Sequence, residues 1–377
     1  MALWRNRPVD YQQNNVSAVA KPQTMKQKLK HLSFLILFYV LIGSSILFIL
    51  GFAAVEVGYH IMGFSSHVSY KTVRDPADYD IVAYNSFVET DDGESIWISD
   101  VPLPNGKVPK ACVIILTGIQ QPSVTSFYSH AKFFQENGYS SVLMEVRGHG
   151  ESSGDEITFA YKEHEDVEAV VEYIQKKYPN TKIVLFGMSM GGAVVLNSFG
   201  RIEDIDGVIA MSAYSSWEDA CMATLKEVEI PDYMCNVLKV FIRMHDFITY
   251  GVDSVKNDPV KQVKNHRNRP VFLVHASGDY TVPIENFYRN QESLKGNKNL
   301  SYWVRDTGAH FIVNGNRLAN ITDDVEYCQN LLAFLEKYYG NVDMTNPVDT
   351  SENVVKEEVV EKVIGNKPPD LNSIGAN

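Results

Sequence analysis

The sequence predicts an α/β protein: a mostly parallel central sheet with helices on both faces, a helical insertion capping one edge, and one transmembrane helix in front. Three observations carry this. Residues 32–55 are free of charge. From about residue 80, apolar runs of strand length alternate with segments of helical period, the pattern of a parallel sheet covered by helices. An interval of more than fifty residues, roughly 212–268, separates two adjacent core strands, too long for a simple crossover and therefore an insertion.

The elements follow in chain order. Leu32 to Val55 is bounded by His31 and Glu56, and its twenty-four residues exceed the about 20 needed to cross the hydrocarbon core. A cleaved signal peptide is the competing reading, but the run is longer than the usual apolar region of such peptides and no clean A-x-A site follows it. Lys21, Lys26, Lys28 and Lys30 precede the run, and only Lys71 and Arg74 follow closely, so residues 1–31 are expected in the cytoplasm and the rest outside. Residues 56–79 read as a linker and 80–340 as the folded domain, with its cap at about 212–268. Residues 341–377 read as a disordered tail, because their Pro, Asn, Gly and charged residues cannot bury enough apolar surface to offset chain entropy.

Within the domain, Thr90-Asp91-Asp92-Gly93 between Phe87–Glu89 and Ile96–Ile98 signals an antiparallel hairpin at the start of the sheet. Cys112–Leu116, Val142–Val146, Ile183–Phe186, Val208–Met211 and Val271–Val274 read as buried strands. His164–Tyr178 is the best helix: Val167, Val170, Val171 and Ile174 recur at helical spacing, Lys176 and Lys177 suit its negative end, and Pro179 stops it. In the insertion, the apolar stretch Val237–Ile248 is expected to form a helix whose apolar face looks down onto the sheet edge.

Composition excludes some functions. The 377 residues are 45% hydrophobic and 21% charged, as in ordinary globular proteins. The net charge is −12, and six of the 34 basic residues but only one of the 46 acidic ones fall in residues 1–31, leaving −17 beyond. Tracking a phosphate backbone needs excess Lys and Arg, so nucleic acid is excluded as a partner. Four Cys do not make a disulfide framework or a CxxC-type zinc site.

The chemistry centres on Gly187-Met188-Ser189-Met190-Gly191, followed by Gly192. The strand Lys182–Phe186 leads into it and Ala193–Leu196 continues as a helix, which is the strand-turn-helix of a nucleophile elbow. A serine hydroxyl needs a base to take its proton, and the base needs an acid to hold its tautomer. Asp279, in Gly278-Asp279-Tyr280-Thr281-Val282-Pro283, and His310, in Gly308-Ala309-His310, follow Ser189 in the required order.

On these motifs the chain resembles the α/β-hydrolase superfamily over about residues 80–340, and within it the branch with monoglyceride-lipase-like and serine-aminopeptidase-like members, membrane-anchored ones included. Arg147-Gly148-His149-Gly150-Glu151-Ser152 resembles that family's R-G-x-G-x-S loop. The resemblance implies an α/β-hydrolase fold, a triad of Ser189, His310 and Asp279, and oxyanion donors from the backbone N–H groups of Met190 and Ile119, with Gln120 as the alternative to Ile119. Many relatives carry His-Gly after the third strand; here that position reads Leu116-Thr117-Gly118-Ile119-Gln120.

Other residues compete for these roles. His275 and His149 read as structural hydrogen-bonders, and Asp306 is the rival to Asp279. His130, His164 and His245 have no partners at metal spacing, so no metal and no cofactor is expected. Cys221 and Cys235 either pair or stay as free thiols. The expected activity is cleavage of a carboxylic ester, thioester or amide through an acyl-enzyme, on a small hydrophobic or lipid-like substrate. Acyl transfer by the same triad is the alternative within enzymes. A membrane-tethered binding protein that has lost catalysis is the alternative outside them.

Overall fold

The computed structural model describes residues 24–341 apart from 71–72, 120–122, 228, 307 and 317. The tail beyond 341, Gln120 and most of the N-terminal arm lie outside the described residues. The chain divides into two units, one ending at Gly51 and one starting at Phe52.

Helix α1 runs unbroken from Met25 to Ile61, and among the described residues it is the one helix long and apolar enough to cross a membrane. Its final turns belong to the second unit. Val55 and Tyr59 are buried there, and Phe64 follows them into the same core. Residues 56–79, expected as a linker, therefore begin as helix and core. The physical reason is visible in the side chains: Tyr59, Met62 and Phe64 continue the apolar character past Glu56.

The second unit is built on an eight-stranded sheet: β1 (Tyr84–Glu89), β2 (Ser95–Val101), β3 (Cys112–Leu116), β4 (Ser140–Met144), β5 (Ile183–Met188), β6 (Gly207–Met211), β7 (Val271–Ala276) and β8 (Leu300–Arg305). The spatial order is β1-β2-β4-β3-β5-β6-β7-β8. β1 and β2 form the antiparallel hairpin, β2 pairs antiparallel with β4, and the remaining pairs are parallel. The five central strands β3 to β7 are buried along their whole length, as expected for strands covered on both faces.

Two apolar clusters lie on the two faces. One contains residues of α2 (Tyr128–Glu136) and of α10 (Val325–Tyr339); the other contains those of α3 (Glu163–Lys177) and α4 (Met190–Arg201). The interval between β6 and β7 holds α5 (Trp217–Glu227), α6 (Asp232–Tyr250), α7 (Asp253–Lys256) and α8 (Pro259–Gln262), and α9 (Glu285–Ser293) follows β7.

α6 differs from its expected orientation. Its buried side is made by Cys235, Ile242, His245, Asp246 and Tyr250, whereas Val237, Val240, Met244, Phe247 and Ile248 are exposed. Lys239, Arg243 and Asp246 recur at i, i+4 and i+7 and make a polar side, but this side is drawn to Asp219 and Glu218 of α5 and to Tyr59, which leaves the apolar side facing out.

The R-G-x-G-x-S loop acts as a clasp for the edge of the sheet. Arg147 places its guanidinium on Asp92 of the first hairpin (2.6 Å), on Asp166 of α3 (2.7 Å) and on Glu165 (3.2 Å). Ser152 Oγ accepts from the Trp97 amide (2.8 Å) and donates to the Glu145 carbonyl (2.6 Å).

Candidate active site

Ser189 is the single residue between β5 and α4. Its backbone lies at φ 58° and ψ −120°, a conformation that costs a non-glycine residue on the order of 1–3 kcal/mol and persists only when its surroundings over-determine it. Packing supplies that constraint. A Cβ on Gly187 would sit 2.1 Å from the Gly191 carbonyl, and one on Gly191 would sit 2.4 Å from the Thr117 carbonyl, so the turn closes only with glycine at both positions. The Ser189 amide donates to the Met211 carbonyl at the end of β6 (2.8 Å).

Met190 is the first residue of α4, so its N–H has no acceptor within the helix and lies at the positive end of the helix dipole. Ile119 follows the end of β3 and lines the same cavity as Ser189. Gln120 is outside the described residues.

Asp279 and His310 are brought together from loops after β7 and β8. His310 Nδ1 lies 2.8 Å from Asp279 Oδ2, and Asp279 Oδ1 accepts from the Val282 amide at 2.9 Å. Burial raises the Asp279 carboxyl, but the hydrogen bond and charge of His310, with the Val282 amide, outweigh it and hold the group below the ordinary carboxylate range. His310 Nε2 is buried, and among the described residues it has no hydrogen-bond partner. The His310 carbonyl accepts from Ser212 Oγ at 2.7 Å, while Ser189 is tied to Met211, so both groups are fastened to adjacent residues at the end of β6.

The competing residues are engaged elsewhere. Asp306 is exposed, and its carbonyl accepts from Ser277 Oγ. His275 Nε2 is 2.8 Å from the Val282 carbonyl and 3.6 Å from Asp279, and burial lowers its affinity for a proton. His149 is buried with Nδ1 on the Arg147 carbonyl (3.1 Å). His130 meets the Tyr327 hydroxyl (2.9 Å), and His245 lies between Asp246 and Glu56. Among the described residues no three His, Cys, Asp or Glu side chains converge as metal ligands. Cys221 and Cys235 are both free thiols.

Above Ser189 lies an apolar cavity of about 370 Å³, walled by Ile119, Tyr214, Trp217, Leu238, Ile242 and the α1 face Val55–Gly58–Tyr59. The Phe159 ring stacks on Trp217 at 4.2 Å. The Tyr59 hydroxyl accepts from Trp217 Nε1 (2.7 Å) and donates to Asp246 (3.0 Å), which also accepts from Tyr161 (3.0 Å). Tyr59, Trp217 and Asp246 were not singled out as functional residues in the sequence. A signal existed for Tyr59, because aromatic and apolar residues continue beyond the charge-free run. None existed for Asp246, whose partners come from distant parts of the chain.

The chain is similar to several known proteins. The serine aminopeptidase S33 family matches residues 107–269. Phospholipase ABHD3 of Mus musculus is 26% identical over 209 residues, 52% of this chain and 49% of that protein, so the chain spans about half the length of the curated relatives it matches. An uncharacterized protein of Bacillus subtilis, YqkD, is 22% identical over 204 residues, 52% of this chain and 64% of that protein. Among solved structures, the Pyrococcus furiosus esterase Pf2001 superposes with a TM-score of 0.55 at 22% identity, covering 72% of this chain and all of that one. The acylaminoacyl peptidase of Pyrococcus horikoshii superposes at 0.51 and 14% identity, over 72% of this chain and 44% of that one. Sheet order, elbow and these similarities agree: the second unit has the α/β-hydrolase fold, and its residues 107–269 are similar to the serine aminopeptidase S33 family.

Proposed function

We propose that this chain is a membrane-anchored serine esterase that hydrolyses a carboxylic ester with a hydrophobic acyl or alcohol part. The observation that carries the reading is the serine elbow opening into an apolar cavity of about 370 Å³. A cavity of that size holds a small or partly extended apolar group and offers little to a charged one. The phospholipase and esterases among its relatives are in keeping with an ester substrate.

In this reading Ser189 Oγ attacks the carbonyl carbon while His310 Nε2 takes its proton. Asp279 keeps Nδ1 protonated and stabilises the imidazolium. The developing oxyanion is held by the amides of Met190 and Ile119, each worth on the order of a hundredfold or more in rate. His310 then returns the proton to the departing alcohol. Water, deprotonated by the same nitrogen, releases the acid from the acyl-enzyme. Leu32–Val55 anchors the enzyme with residues 1–31 in the cytoplasm and the catalytic domain on the other side, following the lysines before the span.

The test uses the full chain in detergent, as parent and as Ser189→Ala, with a fluorophosphonate probe and a series of short- and long-chain p-nitrophenyl esters. The parent is expected to label and to prefer longer chains, and the variant to lose labelling and about 10⁴-fold or more in kcat. A folded parent that neither labels nor hydrolyses sinks the proposal.

A further inference from the structure

We propose that the outer face of α6 is an interfacial docking surface that lies in the headgroup–acyl boundary of the same bilayer that α1 enters. This deepens the anchor reading above and rests on it.

The observation is an apolar stripe that has no protein partner among the described residues. Tyr233, Val237, Val240, Met244, Phe247 and Ile248 recur at i, i+4, i+7, i+11, i+14 and i+15, and all six are exposed, Tyr233 at 71% and Val240 at 57%. They cover one side of α6 for about 22 Å at 1.5 Å per residue. Scattered exposed apolar residues need no explanation, but a continuous stripe of this length does.

The charges of α6 are drawn off that side. Lys239 and Arg243 pair with Asp219 and Glu218 of α5 at 2.5 and 2.6 Å, and His245 and Asp246 turn inward to Glu56 and Tyr59. The stripe is thus an apolar face beside a polar one, the division found in helices that lie in a membrane interface.

What covers it follows from the chain itself. The His245 ring packs on Phe52 at 4.7 Å, and His245 Nε2 meets Glu56 at 2.8 Å. Phe52 belongs to the charge-free run, and Glu56 is the first charged residue after it. A helix fastened at the point where a spanning segment turns charged is held at the depth of the bilayer surface. The same two helices wall the cavity above Ser189, with Leu238 and Ile242 from α6 and Val55 and Tyr59 from α1.

The experiment places an environment-sensitive nitrobenzoxadiazole dye on Val240→Cys in the full chain, reconstituted in phosphatidylcholine nanodiscs with or without doxyl-labelled lipid. The same dye on Ile46→Cys reports the span, and on Lys176→Cys reports an exposed site on α3. The unmodified chain, whose own thiols are buried or half-buried, supplies the background. The expected result is blue-shifted emission and quenching by doxyl lipid at 240 and 46, with water-like emission at 176. Phe247→Asp with Ile248→Asp should release position 240 from quenching while position 46 stays quenched. Water-like emission at 240 with position 46 quenched overturns the docking surface and leaves the anchor standing. A blue shift at 240 without lipid quenching means that a protein, such as a second copy, covers the stripe, and this too overturns it. Loss of quenching at 46 overturns both.

Discussion

Replacing Tyr59 by Phe removes one oxygen and tests whether the end of α1 is part of the catalytic domain. That hydroxyl is buried and makes two hydrogen bonds, accepting from Trp217 Nε1 at 2.7 Å and donating to Asp246 at 3.0 Å. Without it the indole N–H is left buried and unpaired, at about 1–3 kcal/mol, and the Asp246 carboxylate loses one of three donors, at about 1.5–3 kcal/mol. Allowing for relaxation, the net loss is about 2–5 kcal/mol. At roughly 2–4 °C per kcal/mol, the melting temperature falls by about 5–15 °C.

The assay is thermal unfolding of the full chain in detergent, followed by tryptophan fluorescence. Because Tyr59 and Trp217 both wall the cavity, hydrolysis of long-chain esters should fall more than that of short-chain ones. A melting temperature within about 2 °C of the parent, with unchanged chain-length preference, would refute the claim that this contact holds the helix end to the cap.

Two further predictions concern protons. Asp279→Asn keeps the shape of the loop but lets His310 adopt the wrong tautomer, and kcat should drop by about 10³- to 10⁴-fold with the fold intact by circular dichroism; a loss under tenfold would point to another acid. Burial pushes the Glu145 carboxyl up to about 7, against hydrogen bonds from Ser123 and Val124 that favour its charged form. The raised value means the fold prefers the protonated group. Its stabilising contribution is therefore full below the unfolded value of about 4.3 and is lost as pH rises through 7, by an amount on the order of 3 kcal/mol. Glu145→Gln should flatten the stability profile between pH 5 and 8, measured by urea unfolding, and a slope equal to the parent's would contradict this account of Glu145.

The readable parts were those whose signal is local. Asp91-Asp92-Gly93 needed only a tight turn to announce the β1–β2 hairpin, and β3 spans Cys112–Leu116 as its run of buried residues indicates. Strand ends were less visible. β4 begins at Ser140 rather than Val142, because two buried serines take their place in the ladder without an apolar side chain to mark them. The proximity of Asp279 and His310 was expected from their order in the chain, but the 2.8 Å contact depends on loops after two different strands and has no counterpart in residue spacing.

By itself the sequence determined the charge-free run, the strand and helix alternation and the glycines around Ser189, because each follows from hydrophobicity, period or backbone freedom within a few residues. Only the tertiary structure decided where the charge-free helix runs into the folded core. Tyr59 becomes core because Trp217, Phe159 and Asp246, distant in the chain, surround it. It likewise decided which side of α6 faces out. That helix has an apolar side and a polar one, and the polar one turns toward the protein because partners from other elements reach it, Glu56 and Tyr59 to His245 and Asp246, Asp219 and Glu218 to Lys239 and Arg243.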